Sequence, residues 1–150
     1  MCKELEKLTK FYGASIIDYD FPNSIRGAYH DGVIAVNSVI TDNRERRCII
    51  AQELGRHIMR NNKSIVLTEE QKDLSARHWA VMHLMPFSAI ADAHKRGAVS
   101  MSDYADRLGV TEKFIKAGID FYSRVFAVRV LHNDVIIDFT HGLKCADYEG

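Results

Sequence analysis

Apolar positions first recur at helical spacing: Leu5, Leu8, Phe11 and Tyr12 share one face of a short helix over residues 3–12, and Gly13 follows where a C-cap belongs. The period then changes. Residues 14–19 read as a strand on Ser15-Ile16-Ile17, ended by Asp20-Phe21-Pro22-Asn23, because Pro22 has no N–H to give a ladder. Gly27-Ala28-Tyr29-His30 and Val33-Ile34-Ala35-Val36 flank Asp31-Gly32, a pair suited to the left-handed torsions of a two-residue hairpin turn. These three strands predict a small sheet.

Residues 37–43 are polar and read as a crossing loop, with Thr41, Asp42 or Asn43 as N-cap of a helix over residues 44–60. Cys48, Ile49, Ala51, Leu54 and Ile58 give that helix a broad buried stripe, whereas Arg44, Glu45, Arg46 and Arg47 form a charged, solvated first turn. Asn61-Asn62-Lys63-Ser64 ends it. The next helix follows the cap signal Thr68-Glu69-Glu70-Gln71 and runs to Met85, where Pro86 closes it. Asp73, Ala76 and Ala80 line up on one of its faces, and the small residues allow a close approach to the central helix.

Residues 87–96 form another short helix. Residues 101–108, Gly109-Val110-Thr111 and residues 112–122 have the rhythm of a helix-turn-helix, with Ala105, Ile115 and Ile119 inward. Residues 126–131 and 135–139, joined by His132-Asn133-Asp134, read as a terminal hairpin, and residues 140–150 as a loose end. The fold class is therefore α+β: a three-stranded sheet on two core helices, then a helix-turn-helix-like segment and a C-terminal β-hairpin. One domain over 1–150 is expected, with a core over 1–86 and an extension over 87–150.

Composition narrows the function. The 150 residues are 47% apolar, and 20 basic residues balance 20 acidic ones. A balanced chain lacks the clustered cationic excess that neutralises a phosphate backbone, so DNA binding is not expected. Within the helix-turn-helix-like segment Arg107, Lys113 and Lys116 are offset by Glu112 and Asp120. No run reaches the roughly 18 apolar residues of a membrane span, and no apolar signal core follows the start, so a cytoplasmic protein is expected. Cys2, Cys48 and Cys145 are widely spaced without a C-x-x-C pair, which suggests neither a disulfide framework nor a cysteine metal site; Cys48 is read as a small buried filler.

The candidate chemistry lies in Ala51-Gln52-Glu53-Leu54-Gly55-Arg56-His57. Its frame is that of H-E-x-x-H, in which two histidines four apart share a helix face and bind zinc while the intervening glutamate acts as general base. Here Gln52 and Arg56 stand at the two histidine positions, and Glu53 alone keeps its place.

With that motif, the Arg26-Gly27-Ala28-Tyr29 strand, Ala76-Arg77-His78-Trp79-Ala80, Leu84-Met85-Pro86 and the helix-turn-helix-like tail, the chain resembles the ImmA/IrrE family of zinc-metallopeptidase-fold proteins of phages and mobile elements. The resemblance covers nearly the whole chain. It implies a zincin-like fold, a third metal ligand at Asp73, and a role in relieving repression by acting on a helix-turn-helix repressor. Glu53 becomes a vestigial general base, and Gln52, Arg56 and Asp73 occupy the ligand positions.

Zinc takes neutral imidazole, thiolate or carboxylate. Gln52 offers only a weak amide oxygen, and the cationic Arg56 has no lone pair and repels a divalent ion. Arg56 is therefore expected to pair with Glu53 or Asp73 as an internal cation; the alternative has it pointing to solvent above a wet cavity. A shifted metal site from Glu53, His57 and Asp73 or His78 is disfavoured, because one residue turns a side chain about 100° around a helix. Without it, His57, His78 and His83 are helix histidines with local hydrogen bonds, and His30, His94, His132 and His141 carry no motif. Trp79 reads as core packing, and Tyr29 as a strand-face residue.

Two functions follow from the resemblance. One is an inactive peptidase fold that binds a protein partner, a repressor or a host protein, with no metal, the sheet edge over residues 27–30 accepting an extended segment. The alternative is an active zinc endopeptidase that cleaves a repressor, with Glu53 activating a metal-bound water.

Overall fold

The computed structural model describes residues 3–62, 64 and 66–149. Met1 and Cys2, Lys63 of the stretch expected to end the central helix, Ile65 and Gly150 lie outside the described residues. The chain divides into two compact units, Met1–Ala80 and Val81–Gly150, and the division falls within a helix.

The first unit runs α1 (Lys3–Phe11), β1 (Ser15–Tyr19), β2 (Gly27–His30), β3 (Val33–Asn37), α2 (Asn43–Asn61) and most of α3 (Glu69–Leu84). Its sheet has the order β1-β3-β2, with β1 parallel and β2 antiparallel to the central β3. The hairpin turn takes φ of 47° at Asp31 and 80° at Gly32, the left-handed torsions expected of that pair. Strand alternation sends Ile34 and Val36 into the core, where Ala14, Ile34 and Leu54 are packed by Leu8, Ile16, Tyr29, Ile58 and Trp79.

Two local expectations are corrected. Phe11, read as inward on α1, is 80% exposed, and Thr9 is buried in its place with its hydroxyl donating to the Leu5 carbonyl at 2.6 Å. Asn37, read as the start of a loop, is the buried last residue of β3. Its amide nitrogen donates to the carbonyls of Phe21, Pro22 and Ile25 at 3.2, 3.2 and 2.8 Å, so one side chain satisfies the turn that Pro22 forces.

Asp42 caps α2, accepting from the backbone N–H groups of Arg44 and Glu45. The charged first turn is tied down and not simply solvated: Glu45 pairs with Arg26, and Arg46 with Asp18 at 2.8 Å. Cys48, Ile49, Ala51 and Leu54 are buried as their spacing required, and so are Glu53 and His57. Thr68 and Gln71 exchange side chain-to-backbone bonds of 2.9 and 3.1 Å and so start α3. The helices touch at Gly55, where an added Cβ would stand 2.5 Å from the Ala76 carbonyl oxygen and 3.0 Å from its Cα.

The second unit runs α4 (Phe87–Lys95), α5 (Met101–Leu108), α6 (Glu112–Val125), β4 (Arg129–His132), β5 (Val135–Asp138) and β6 (Lys144–Asp147). Ser100 and Asp103 form a capping box on α5, Gly109 turns the chain at φ 67°, and Thr111 caps α6. α6 continues past residue 122 to Val125 and β4 begins only at Arg129, because Phe126 joins Phe87, Phe121, Tyr122 and Phe139 in an aromatic cluster. The loose end expected over residues 140–150 is corrected as well. Lys144–Asp147 pairs antiparallel to β5, making the terminal hairpin a three-stranded sheet anchored by the buried Leu143.

The contact at Gly55 generates a stability prediction. Gly55→Ala forces a methyl onto the Ala76 backbone, and overpacking of this kind costs about 1–3 kcal/mol. Urea denaturation of the variant should show that loss; a change below about 0.5 kcal/mol, the size of an ordinary surface substitution, would mean the helices separate freely.

Candidate functional site

The motif residues occupy the middle of α2, and α3 faces them across the Gly55–Ala76 contact. Leu54 faces the core, Gln52 and Arg56 are half-buried, and Glu53 is buried at 6% exposure. β2 lies over this stretch: a Cβ at Gly27 would stand 2.5 Å from Ile49 Cγ2 and 3.8 Å from Glu53 Cγ. A larger residue in place of Gly27 would lift the strand from the helix.

Around Glu53 the charges alternate. Arg56 Nη1 is 3.8 Å from Glu53 Oε2, and Arg56 Nε is 3.5 Å from Asp73 Oδ1. One guanidinium thus spans the two carboxylates, but at distances beyond the 2.7–2.9 Å of charge-assisted hydrogen bonds. Glu53 Oε2 has no hydrogen-bond partner although it is inaccessible. Burial raises the Glu53 carboxyl above its ordinary value; Arg56 opposes that shift, Asp73 adds to it, and Arg60 lowers it again. Sequence reasoning missed Arg60, whose guanidinium pairs with Glu69 at 3.3 Å and lies 5.9 Å from the centre of the Tyr29 ring. Its position one helical turn after Arg56 was the only available signal.

His57 has left this face for another task. Its Nε2 lies 2.6 Å from the Tyr12 carbonyl oxygen, which can only accept, so Nε2 carries the proton. Its Nδ1 then accepts from the Tyr29 hydroxyl at 2.6 Å, and the Tyr29 oxygen in turn accepts from Gly32 N–H at 3.0 Å. The expected local hydrogen bonds of His57 are present, Asn61 Nδ2 lying 3.1 Å from Nδ1 and 2.9 Å from the His57 carbonyl oxygen, but this imidazole also joins the end of α1, strand β2 and the hairpin turn to α2. Both ring nitrogens are occupied, which removes His57 from a shifted metal set. His78 has its pKa lowered, by burial and then by Arg77.

The donor set does not fit zinc. The resemblance places ligands at Gln52, Arg56 and Asp73, and of these only the Asp73 carboxylate is a competent donor. Among the described residues no three His, Cys, Asp or Glu side chains come together in a group that could hold a metal ion. The arrangement can bind charge and hydrogen-bonding groups, and no step through a metal is derived from it. The helix-turn-helix-like segment carries a mixed surface, with Arg124 paired to Asp120 at 3.0 Å and Arg107 bonded to the Arg96 carbonyl. Among the described residues no helix is long and apolar enough to cross a membrane.

The buried carboxylate predicts a pH-dependent stability. An acid whose pKa is raised on folding holds its proton longer in the folded chain, so stability falls as pH climbs from 4.5 through the raised value. Glu53→Met removes that penalty and leaves Arg56 with Asp73. At pH 8 the variant should be more stable by about 1–3 kcal/mol, the cost of an unsatisfied buried polar group, with the difference shrinking as pH approaches about 4. A variant that is less stable at pH 8, by an amount independent of pH, would show that the Glu53 charge is fully compensated.

Comparison with known proteins adds the lineage. The family model described as the IrrE N-terminal-like domain, of the M78 peptidases, matches residues 12–120. No curated protein matches the chain. The match covers more than half of the sequence and spans the sheet, α2 with its altered motif, α3 and most of the helices that follow. By that match, and with an α+β fold of the zincin-like kind around it, the chain belongs to the ImmA/IrrE family.

Proposed function

We propose that this protein is a non-cutting member of its family, a regulator that binds an extended segment of a protein partner beside α2. The observation that carries the reading is Arg56 at the second ligand position, 3.8 Å from Glu53 and 3.5 Å from Asp73. A guanidinium there supplies positive charge but no lone pair, and water activation in this fold requires a metal ligand at that point. Glu53 keeps its place without a metal-bound water to deprotonate.

The binding element of this reading is β2. It is an edge strand, and the Asn37 N–H bond to the Arg26 carbonyl, at 2.9 Å, sets which of its residues face β3. By the alternation of an antiparallel ladder, Gly27 and Tyr29 then turn their N–H and C=O groups to the open side. An added strand would pair with those groups, on the strand whose Gly27 lies over Glu53. The partner class is a helix-turn-helix repressor or a host protein met in the cytoplasm, as the family resemblance implies, and phage or mobile-element regulation is the setting.

Co-expression with helix-turn-helix repressors from the same locus tests this. The repressor should co-purify at full length, and Glu53→Gln should retain it with an affinity within about twofold of the parent, a difference below about 0.5 kcal/mol. A repressor cleaved by the parent in the presence of zinc and left intact by Glu53→Gln would overturn the proposal and establish an active endopeptidase.

A further inference from the structure

A buried carboxylate without a hydrogen bond is a costly feature, and the structure places two carboxylates on facing helices with one cation between them. Glu53 has 8% of its side chain exposed and Oε2 has no partner; Asp73 is 44% exposed; the Arg56 guanidinium is 34% exposed and reaches both. A planar fork made for a carboxylate would sit closer and in two parallel bonds. Arg56 makes neither contact at hydrogen-bond length. The match between guanidinium and site is one of charge more than of shape.

We infer that Arg56 is a lock: a tethered internal cation that offsets part of the charge of the Glu53–Asp73 pair and, by occupying the space between them, excludes the divalent metal ion that the pair would otherwise help to bind. This rests on the reading of the site as metal-free. It goes further by assigning exclusion to one side chain. Gln52 and Arg56 both depart from the motif, but they differ in kind. An amide at position 52 is a weak ligand that leaves a site empty of charge, whereas the guanidinium of Arg56 is a positive charge fixed where a second positive charge would have to sit.

The consequence is an asymmetry between two single substitutions. Gln52→His supplies an imidazole but leaves the lock in place, so the chain should retain no zinc after desalting. Arg56→His both removes the cation and supplies a ligand, so zinc should bind with Asp73 and the Glu53 carboxylate available nearby. Removing a mere outer-shell partner changes metal affinity about 10–100-fold. Exchange of a repelling cation for a ligand should therefore separate Arg56→His from Gln52→His by at least roughly a hundredfold in zinc affinity.

The experiment uses the full chain without a histidine tag in five forms: parent, Gln52→His, Arg56→His, the double variant and Arg56→Lys, each checked for folding by circular dichroism. Zinc is read by elemental analysis after desalting and by the zinc-dependent rise in melting temperature, which tracks binding to the folded state. Zinc should raise the melting temperature of Arg56→His, and more so of the double variant, which should retain about one zinc per chain. It should leave the parent, Gln52→His and Arg56→Lys unchanged, the last because a lysine ammonium keeps the charge. Zinc bound by Gln52→His as tightly as by the double variant would overturn the inference, and so would a folded Arg56→His and double variant that take none. These outcomes are separable from those of the functional proposal, which fails on cleavage by the parent protein and not on the metal affinity of its variants.

Discussion

A carboxylate removed from water needs a cation, and the first unit of this protein is arranged around that requirement at Glu53. The residue lies on the inner side of α2, under β2 and facing α3, where burial raises the carboxyl above its ordinary value and Oε2 has no hydrogen-bond partner. Arg56 answers the requirement only in part, at 3.8 Å from one turn along the same helix, and Asp73 shares the guanidinium from the facing one at 3.5 Å. The approach of the two helices is what makes the sharing possible. Gly55 and Ala76 bring the backbones together, and a bulkier residue at either position would pull Asp73 away from the cation it now shares.

Much of this was legible in the sequence. The hairpin turn, the small-residue face of α3 and the helix that carries the motif all follow from patterns of period and size that short windows contain. Charge was legible too, because arginine has one protonation state and no lone pair wherever it stands. What could not be read were interactions whose partners lie far apart along the chain. Asn37 satisfies three carbonyls of a turn more than ten residues earlier, and His57 reaches Tyr12 and Tyr29. Neither pairing leaves a periodic trace.

The end of the chain shows a different limit. Lys144–Asp147 is four residues long and mostly exposed, so alternation has too few positions to declare itself. It is a strand because β5 presents an edge and Leu143 is buried beside it. Tertiary context also decided α1, where burial chose Thr9 over Phe11 against their hydrophobicity: the threonine hydroxyl bonds its own helix, and the aromatic ring stays outside.

His57 stands one residue from Arg56, and the two serve separate ends. The imidazole ties α1, β2 and the hairpin turn to α2 from one side of the helix, while the arginine faces α3 from another. A lineage carrying such a helix can trade its reactive groups without disturbing the joint that keeps it folded. A change on one side of the helix therefore leaves the joint on the other side in place.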